Sequence, residues 1–264
     1  MTDYDSLTVE RNGGVARVVM DDIEGRNALT LDSADELIDA AVSLGEDAEL
    51  RCLVLTHEGQ FFGTGADLTQ FSGDDPAGDA SRMRQLAGRI HEAVIQFHRN
   101  GTPVVGGVDG VAAGAGFSLA LVPDLLVLSE DARLEFAYPR VGLTGDGGST
   151  FFLPRLVGLR TAKEILLLDD PISPTEAVEM GLANETVPTG EFDERLAELA
   201  ADLAAGPTVA YGESTRLMAE SFDRSLESQL AAETDIIAKA ARTDDFGRGL
   251  AAFFGEGDPE FTGR

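Results

Sequence analysis

The chain carries two glycine-rich stretches, Phe62-Gly-Thr-Gly-Ala-Asp-Leu68 and Asp109-Gly-Val-Ala-Ala-Gly-Ala-Gly-Phe-Ser-Leu-Ala120. Each follows an apolar run rich in β-branched residues, which predicts a strand, and the second leads directly into an apolar helical pattern. Glycine and alanine leave backbone N–H groups uncovered, so a ligand can approach the main chain closely at such junctions. Two loops of this kind that converge on one carbonyl oxygen form an oxyanion hole from main-chain donors alone.

Two other interpretations of the second stretch fail on chain order. A dinucleotide phosphate turn usually opens a Rossmann unit, whereas Gly110 lies far into the chain. A nucleophile elbow around Ser118 needs a histidine later in the chain, yet His57, His91 and His98 all precede it. The oxyanion-hole interpretation is therefore the one that fits.

The composition predicts a folded protein with an unusually acidic surface. Hydrophobic residues make up 43% of the 264 residues, which is ample for a buried core, while the formal net charge is −27. Only two of the 20 basic residues are lysines, and the acidic residues are spread along the chain. Such a surface is typical of a salt-accumulating cytosol, where about 1 M salt shortens the screening length to ~3 Å. It excludes nucleic acid and anionic membranes as partners.

Other sequence signals predict a cytoplasmic protein without a metal or a disulfide. The N-terminus lacks an apolar signal core, and no apolar run is long enough to span a membrane. The single cysteine, Cys52, lies in a strand pattern and is expected to be a buried thiol. The three histidines and the cysteine are scattered, so no metal cluster is expected.

The order of patterns predicts an α/β core followed by helices. We expect a hairpin over 7–21, a helix over 31–44, a strand over 50–56 and a mobile loop over 72–80. The next helix places its apolar side chains on one face: Met83, Leu86, Ile90, Val94 and Phe97. Strand, glycine loop and helix recur over 103–122, a strand follows over 124–129, and the pattern is almost wholly helical from about 147. The predicted division is a core over 1–200 and a helical region over 201–264.

Together with the two loops, four further segments resemble the crotonase (enoyl-CoA hydratase/isomerase) superfamily in the same order. They are Arg26-Asn-Ala-Leu29, Pro139-Arg-Val-Gly-Leu143, Leu153-Pro-Arg-Leu-Val-Gly158 and Pro259-Glu-Phe-Thr-Gly-Arg264. The resemblance implies a spiral of β-β-α repeats, with C-terminal helices that assemble a homotrimer or a dimer of trimers. Phe246, Leu250, Phe253 and Phe254 have the helical spacing that suits such an interface, the alternative being packing within the chain.

The resemblance also implies the substrate and the binding residues. The substrate is an acyl-CoA thioester, so coenzyme A enters as part of the substrate and no separate cofactor is expected. The oxyanion donors are the amides of Ala66 and Ala115. Contacts to coenzyme A are expected from Arg26, with Ala28, Ala66, Asp67, Leu68 and Thr69 lining the adenine end.

Departures from the family pattern indicate which of the family's reactions to expect. Hydratases of this superfamily use two glutamates, and the corresponding positions here are Ser118 and Arg140. Asp146 supplies a carboxylate at the place where similar ring-epoxide isomerases of the phenylacetate pathway and Δ3,Δ2-enoyl-CoA isomerases shuttle a proton. The resemblance therefore implies an enoyl-CoA isomerase with Asp146 as acid and base.

Three alternatives stay open. They are a hydratase with non-standard residues, a hydrolase or dehalogenase acting through Asp146, and an acyl-CoA binder without turnover. In the similar 4-chlorobenzoyl-CoA dehalogenases, a histidine base and a tryptophan occupy the places of His91 and Tyr138 beside a nucleophilic aspartate. His91 also lies at the edge of the apolar stripe of its helix, where a core-edge role is the competing interpretation.

Overall fold

The computed structural model describes residues 4–255 and 257–264, in which strands and helices alternate before a series of helices. The strands are β1 (Leu7–Asn12), β2 (Val15–Met20), β3 (Cys52–His57), β4 (Phe61–Gly63), β5 (Val104–Val108), β6 (Val111–Ala113), β7 (Leu125–Ser129), β8 (Arg133–Glu135) and β9 (Glu185–Val187). The helices are α1 (Leu31–Gly45), α2 (Pro76–His98), α3 (Ala115–Ala120), α4 (Ser149–Leu156), α5 (Gly158–Leu168), α6 (Pro174–Met180), α7 (Phe192–Ala205), α8 (Thr208–Glu220), α9 (Leu226–Ala240) and α10 (Asp244–Phe253).

Successive strand pairs divide between two sheets. The larger sheet has the order β1-β2-β3-β5-β7-β9, and the smaller has the order β4-β6-β8. The β1–β2 hairpin is antiparallel, and every later pairing is parallel. Each repeat from β3 onward therefore gives its first strand to the larger sheet and its second to the smaller, and then a helix follows. This is the predicted spiral of β-β-α repeats in the predicted α/β class.

The central strands are buried on both faces. The first four residues of β3 and all five residues of β5 are apolar or glycine, as expected for parallel strands covered on two sides. The α7 helix packs so closely on β5 that a Cβ on Gly107 would lie 2.6 Å from Leu196. Cys52 belongs to this second core layer, where burial raises the pKa of its thiol to about 12. The expectation of a buried cysteine is confirmed.

The predicted loop over 72–80 is wrong in its second half, because α2 begins at Pro76. The Asp75 side chain caps this helix by accepting a hydrogen bond from the Gly78 amide at 3.1 Å, and Pro76 takes the first helical position. The apolar face of α2 agrees with its prediction, since Leu86, Ile90, Val94 and Phe97 are buried.

The C-terminal region is helical from α4 onward apart from the three-residue β9, which the sequence pattern did not reveal. The boundary predicted at residue 200 falls within α7, and the division into two units stays a prediction. Phe253 and Phe254 are 83% and 78% exposed in the single chain, and Phe246 and Leu250 are also exposed. Packing within the chain covers more than half of Phe246 and Leu250, which are 47% and 40% exposed, but leaves Phe253 and Phe254 largely uncovered. Within the described ranges, no helix is long and apolar enough to cross a membrane.

Candidate active site

The two glycine loops pack backbone against backbone. A Cβ on Gly116 would lie 2.3 Å from the Gly63 carbonyl oxygen, and one on Gly65 would lie 3.2 Å from the Ala115 nitrogen. Gly65 also has a φ of +90°, a region that residues with a Cβ rarely adopt. Glycine is required here because any side chain would separate the loops. The convergence expected from the sequence is therefore present in the structure.

The amides of Ala66 and Ala115 lie at this junction. The residues on both sides of Ala66 are tied to Leu29: the Leu29 amide donates to the Gly65 carbonyl at 2.7 Å, and the Asp67 amide donates to the Leu29 carbonyl at 3.0 Å. Ala115 is the first residue of α3, directly after Gly114. Neither alanine amide donates to another backbone group within the described residues, and both alanines line one cavity of about 830 Å³. They are available to a carbonyl oxygen there, and their role as oxyanion donors stays a prediction.

Asp146 lines the same cavity, in the glycine-rich turn before α4. Its carboxylate Oδ1 lies 2.5 Å from Nε2 of His91, which reaches it from α2. The Asp146 side chain is 27% exposed and that of His91 is 49% exposed, so both remain accessible. His91 is therefore more than a core-edge residue, because it contacts the predicted acid and base.

A buried hydroxyl pair holds the Asp146 backbone. The Ser118 hydroxyl donates to the Asp146 carbonyl oxygen at 2.7 Å and lies 2.8 Å from the Tyr138 hydroxyl. Because Ser118 has one hydroxyl proton and a carbonyl can only accept, the Tyr138 hydroxyl donates to Ser118. Burial raises the pKa of Tyr138, so it stays protonated. Ser118 is a small buried residue that positions Asp146, and it does not line the cavity.

Arg140 lines the cavity but is already engaged by two carboxylates. Glu135 contacts its Nη1 atom, and Asp169 accepts from its Nε atom at 2.7 Å. Hydrogen bonds to Glu135 and Asp169 raise the pKa of Arg140 above its ordinary value. The structure therefore places a paired cation at the position predicted to correspond to the second hydratase glutamate.

Only some of the residues predicted to contact coenzyme A line the cavity. Leu68 lines the cavity beside Ala66, whereas the other four, Arg26, Ala28, Asp67 and Thr69, are not among the described lining residues. Arg26 lies over the Phe61 ring at 5.6 Å. Asp67 accepts from the Thr69 hydroxyl and amide at 2.7 and 3.0 Å, and the hydroxyl bond to Thr69 is the main cause that lowers the pKa of Asp67.

Sequence reasoning missed Arg84, Thr144 and Asp79, which also line the cavity. Arg84 and His91 are seven residues apart on α2, which places them on one helix face, and that spacing is visible in the sequence. Among the residues described, no group of three or more His, Cys, Asp or Glu could hold a metal ion.

The repeated β-β-α units and the two converging main-chain loops define a protein of the crotonase class. A solved enoyl-CoA hydratase from Polaromonas sp. JS666 shares this architecture at a TM-score of 0.90 and 29% identity, covering 97% of this chain and 99% of that one. Residues 10–264 match the Enoyl-CoA hydratase/isomerase family. The chain therefore belongs to that family of acyl-CoA enzymes.

The similar curated proteins differ in the reactions that their names give. The chain is 33% identical over 262 residues to the "Probable enoyl-CoA hydratase" of Rhodobacter capsulatus, covering 99% of both chains. It is 30% identical to the 1,2-epoxyphenylacetyl-CoA isomerase of Escherichia coli, covering 95% of this chain and 96% of that one. It is also 30% identical to 4-chlorobenzoyl coenzyme A dehalogenase-2 of an Arthrobacter species, covering 94% and 90%. The family is thus established, and the reaction has to be argued from the site.

Proposed function

We propose that this protein is an acyl-CoA isomerase, in which Asp146 moves a proton within an enoyl-CoA or a ring-epoxide acyl-CoA. The main support is that Asp146 lines one cavity with Ala66 and Ala115, whose amides are free of backbone partners in the described chain. The places of the two hydratase glutamates hold Ser118 and Arg140. One carboxylate suffices for isomerisation, because the same group removes a proton and returns it to another carbon.

For a 3-enoyl-CoA, the thioester oxygen accepts hydrogen bonds from the Ala66 and Ala115 amides. Asp146 removes a proton from the α-carbon, the electrons delocalise into a dienolate, and the protonated Asp146 returns the proton to the γ-carbon. The product is the 2-enoyl-CoA, and no water or second carboxylate takes part. Each oxyanion donor of this kind contributes roughly 10²–10³ in rate.

His91 orients the carboxylate in this scheme. In this scheme Nε2 of His91 donates to Asp146 Oδ1, and Oδ2 of the same carboxylate is left for the substrate. The other cavity-lining aspartate, Asp79, is committed elsewhere, since it accepts from the Ser72 and Gly73 amides at 3.0 and 2.8 Å. Those backbone bonds lower the pKa of Asp79, which makes it a poor proton carrier.

The contact between His91 and Asp146 also favours a second candidate, dehalogenation of an aromatic acyl-CoA. There Asp146 would displace a ring halide to form an aryl ester, and His91 would activate water to hydrolyse that ester. Tyr138 stands where the similar dehalogenases carry tryptophan, and its hydroxyl proton is committed to Ser118. This difference makes isomerisation the better-supported reaction.

Asp146→Asn tests the proposal, with His91→Gln as the comparison. The asparagine keeps the shape of the side chain but cannot accept the proton, so isomerisation of a 3-enoyl-CoA should fall by roughly 10²–10⁴. Calorimetric affinity for the same thioester should stay within a few-fold. His91→Gln should lower the rate less, because it removes orientation and not the proton carrier.

Other outcomes identify the alternatives. Wild-type rates for Asp146→Asn with an inactive His91→Gln would make His91 the base. Efficient hydration of crotonyl-CoA would establish a hydratase, and halide release from 4-chlorobenzoyl-CoA would establish the dehalogenase. Thioesters that bind without any turnover would indicate a binding protein.

We also propose a trimer or a dimer of trimers in a salt-rich cytoplasm. The exposed aromatic residues Phe253 and Phe254 at the end of α10 support association, because side chains of this size are costly to leave in water. The formal charge of −27 supports a medium in which salt screens repulsion between copies. Sedimentation at several salt concentrations measures the oligomeric state and its dependence on salt.

A further inference from the structure

Asn27 is a buried asparagine in the segment that packs beside the first glycine loop. It is 4% exposed, and it is not among the described residues that line the cavity. Its Nδ2 atom lies 2.7 Å from the Phe61 carbonyl oxygen, 3.2 Å from that of Met20 and 3.5 Å from that of Glu58. Carbonyl oxygens only accept hydrogen bonds, so the amino group of this side chain must face them. One side chain therefore joins the end of β2, the turn after β3 and the start of β4.

The backbone at Asn27 adopts a conformation that is rare for residues with a Cβ. Arg26 and Asn27 have φ values of +58° and +51°, so two successive side chains leave the main chain in the left-handed region. Asparagine tolerates this region better than most residues, and such strain persists only where surrounding contacts hold it. The three carbonyl contacts of the side chain supply that hold, together with the Asn27 amide, which donates to the Asp22 carbonyl at 2.9 Å.

This turn leads directly to the contacts that hold the Ala66 amide. Leu29 lies two residues after Asn27, and its backbone forms a parallel bridge with Ala66. Phe61, whose carbonyl accepts from Asn27, begins the strand that runs into the glycine loop. A Cβ on Gly63 in that strand would lie 3.3 Å from the Asn27 carbonyl oxygen. Asn27 therefore ties together the two segments that set the position of Ala66.

We propose that Asn27 is a positioning residue for the oxyanion hole, because its side-chain amide sets where the Ala66 N–H lies relative to the thioester carbonyl. Asn27 contacts no substrate atom in this scheme and acts through Ala66. The inference rests on the proposed function for the placement of the thioester oxygen between Ala66 and Ala115. An oxyanion donor works only within a narrow range of distance, so a small displacement of one amide lowers the rate with little loss of substrate affinity.

The first test compares Asn27→Gly with wild type. Glycine adopts the left-handed conformation freely but removes the side-chain contacts, so this variant isolates the role of the amide group. For isomerisation of 3-hexenoyl-CoA, kcat should fall by about 10- to 100-fold, while KM should change by less than about threefold. Asn27→Asp keeps the shape of the side chain but turns an acceptor toward the three carbonyl oxygens, so kcat should fall at least as far.

A spectroscopic measurement probes the oxyanion hole without turnover. Butyryl-CoA, isotopically labelled at the thioester carbonyl carbon, has no double bond to isomerise, and hydrogen bonds to its oxygen lower the carbonyl stretching frequency. Infrared difference spectra should show this lowering in wild type and a smaller lowering in Asn27→Gly. If Asn27→Gly does not fold, Asn27→Ser, which keeps one small donor, is measured in the same way. A variant with the wild-type frequency, or no lowering in wild type itself, would overturn the inference.

Asn184→Gly is the matched control for general destabilisation. The Asn184 Oδ1 atom accepts from the Leu126 amide at 2.7 Å, which joins β7 to the segment before β9. Asn184 is outside the described lining of the cavity. Its replacement should lower the melting temperature but leave kcat and the carbonyl frequency unchanged. Equal losses of kcat in Asn27→Gly and Asn184→Gly would refute a specific role for Asn27.

The two measurements separate this inference from the proposed function. If wild type isomerises no thioester but lowers the carbonyl frequency of bound butyryl-CoA, and Asn27→Gly reverses that lowering, the positioning role stands and the isomerase assignment fails. If wild type isomerises 3-hexenoyl-CoA and Asn27→Gly changes neither kcat nor the frequency, the isomerase assignment stands and the positioning role is refuted.

Discussion

Replacing Ser118 with alanine should destabilise the protein because it leaves the Tyr138 hydroxyl without a hydrogen-bond acceptor. Ser118 and Tyr138 are both buried, and the Tyr138 hydroxyl donates to Ser118 at 2.8 Å. Without that acceptor, the buried phenol proton is unpaired, at a cost of about 1–3 kcal/mol. The Asp146 carbonyl loses one donor but keeps two from Ser149, its amide at 3.1 Å and its hydroxyl at 2.9 Å. The unpaired Tyr138 hydroxyl therefore accounts for most of the expected loss of stability.

Tyr138→Phe should cost less, about 0.5–1.5 kcal/mol, because Ser118 still donates to the Asp146 carbonyl. The double variant has no tyrosine hydroxyl that could be left without a partner. Its loss of unfolding free energy should therefore be smaller than the sum of the two single losses by about 1 kcal/mol. Denaturant unfolding of the four proteins at one salt and protein concentration gives this coupling energy.

Ser129→Ala is the matched control. Ser129 is as deeply buried as Ser118, but its hydroxyl has no hydrogen-bond partner among the described residues. The same substitution there should be neutral or stabilising. Additive costs for Ser118→Ala and Tyr138→Phe within about 0.5 kcal/mol, or equal losses for Ser118→Ala and Ser129→Ala, would refute the assigned direction of the hydroxyl pair.

The remaining predictions concern charge. The chain should fold and associate in molar salt and lose oligomers or unfold on dilution, because repulsion at −27 charges reaches further as salt falls; an intact trimer by sedimentation at about 10 mM salt would contradict this. The Lys239 ammonium, on α9, and Arg216, on α8, hold the pKa of Glu213 on α8 below its ordinary value of 4.5. A lowered carboxyl pKa contributes stability that is present above 4.5 and is lost as the pH falls through the folded-state pKa. Glu213→Gln should therefore lower the melting temperature at pH 7 and have a shrinking effect in acid, and an effect independent of pH would contradict the ion pair.

The parts of the site that depend on backbone shape could be predicted from the sequence. Gly116 is needed because a Cβ there would lie 2.3 Å from the Gly63 carbonyl oxygen, and a glycine-rich stretch in the sequence is the signal of such a close approach. The β1–β2 hairpin and the buried face of α2 were predictable for the same reason, since each follows from a short periodic pattern. Three-residue strands such as β8 and β9 carry too few residues for any periodicity.

Contacts between distant side chains could not be predicted in this way. His91 and Asp146 are 55 residues apart, and their meeting depends on how α2 packs beside the turn before α4. The start of α2 was predicted wrongly for a different reason, because the sequence does contain the signals of a helix N-terminus. Asp75 followed by Pro76 is a helix N-terminus, but the surrounding glycine, serine and aspartate residues favoured a loop.

Packing links Ser118, which stands where the resemblance to hydratases predicts a glutamate, to the turn that carries Asp146. Gly147 follows Asp146 at a φ of +58°, and a Cβ built on it would lie 2.9 Å from the Ser118 Cβ. The turn that carries Asp146 therefore lies directly against Ser118, and a glutamate there has no room unless that turn moves. Ser118 instead uses its small hydroxyl to hold the Asp146 carbonyl at 2.7 Å. The packing at residue 118 and the position of the Asp146 carboxylate are therefore coupled, and a larger side chain at residue 118 would displace the carboxylate that we propose as the proton carrier.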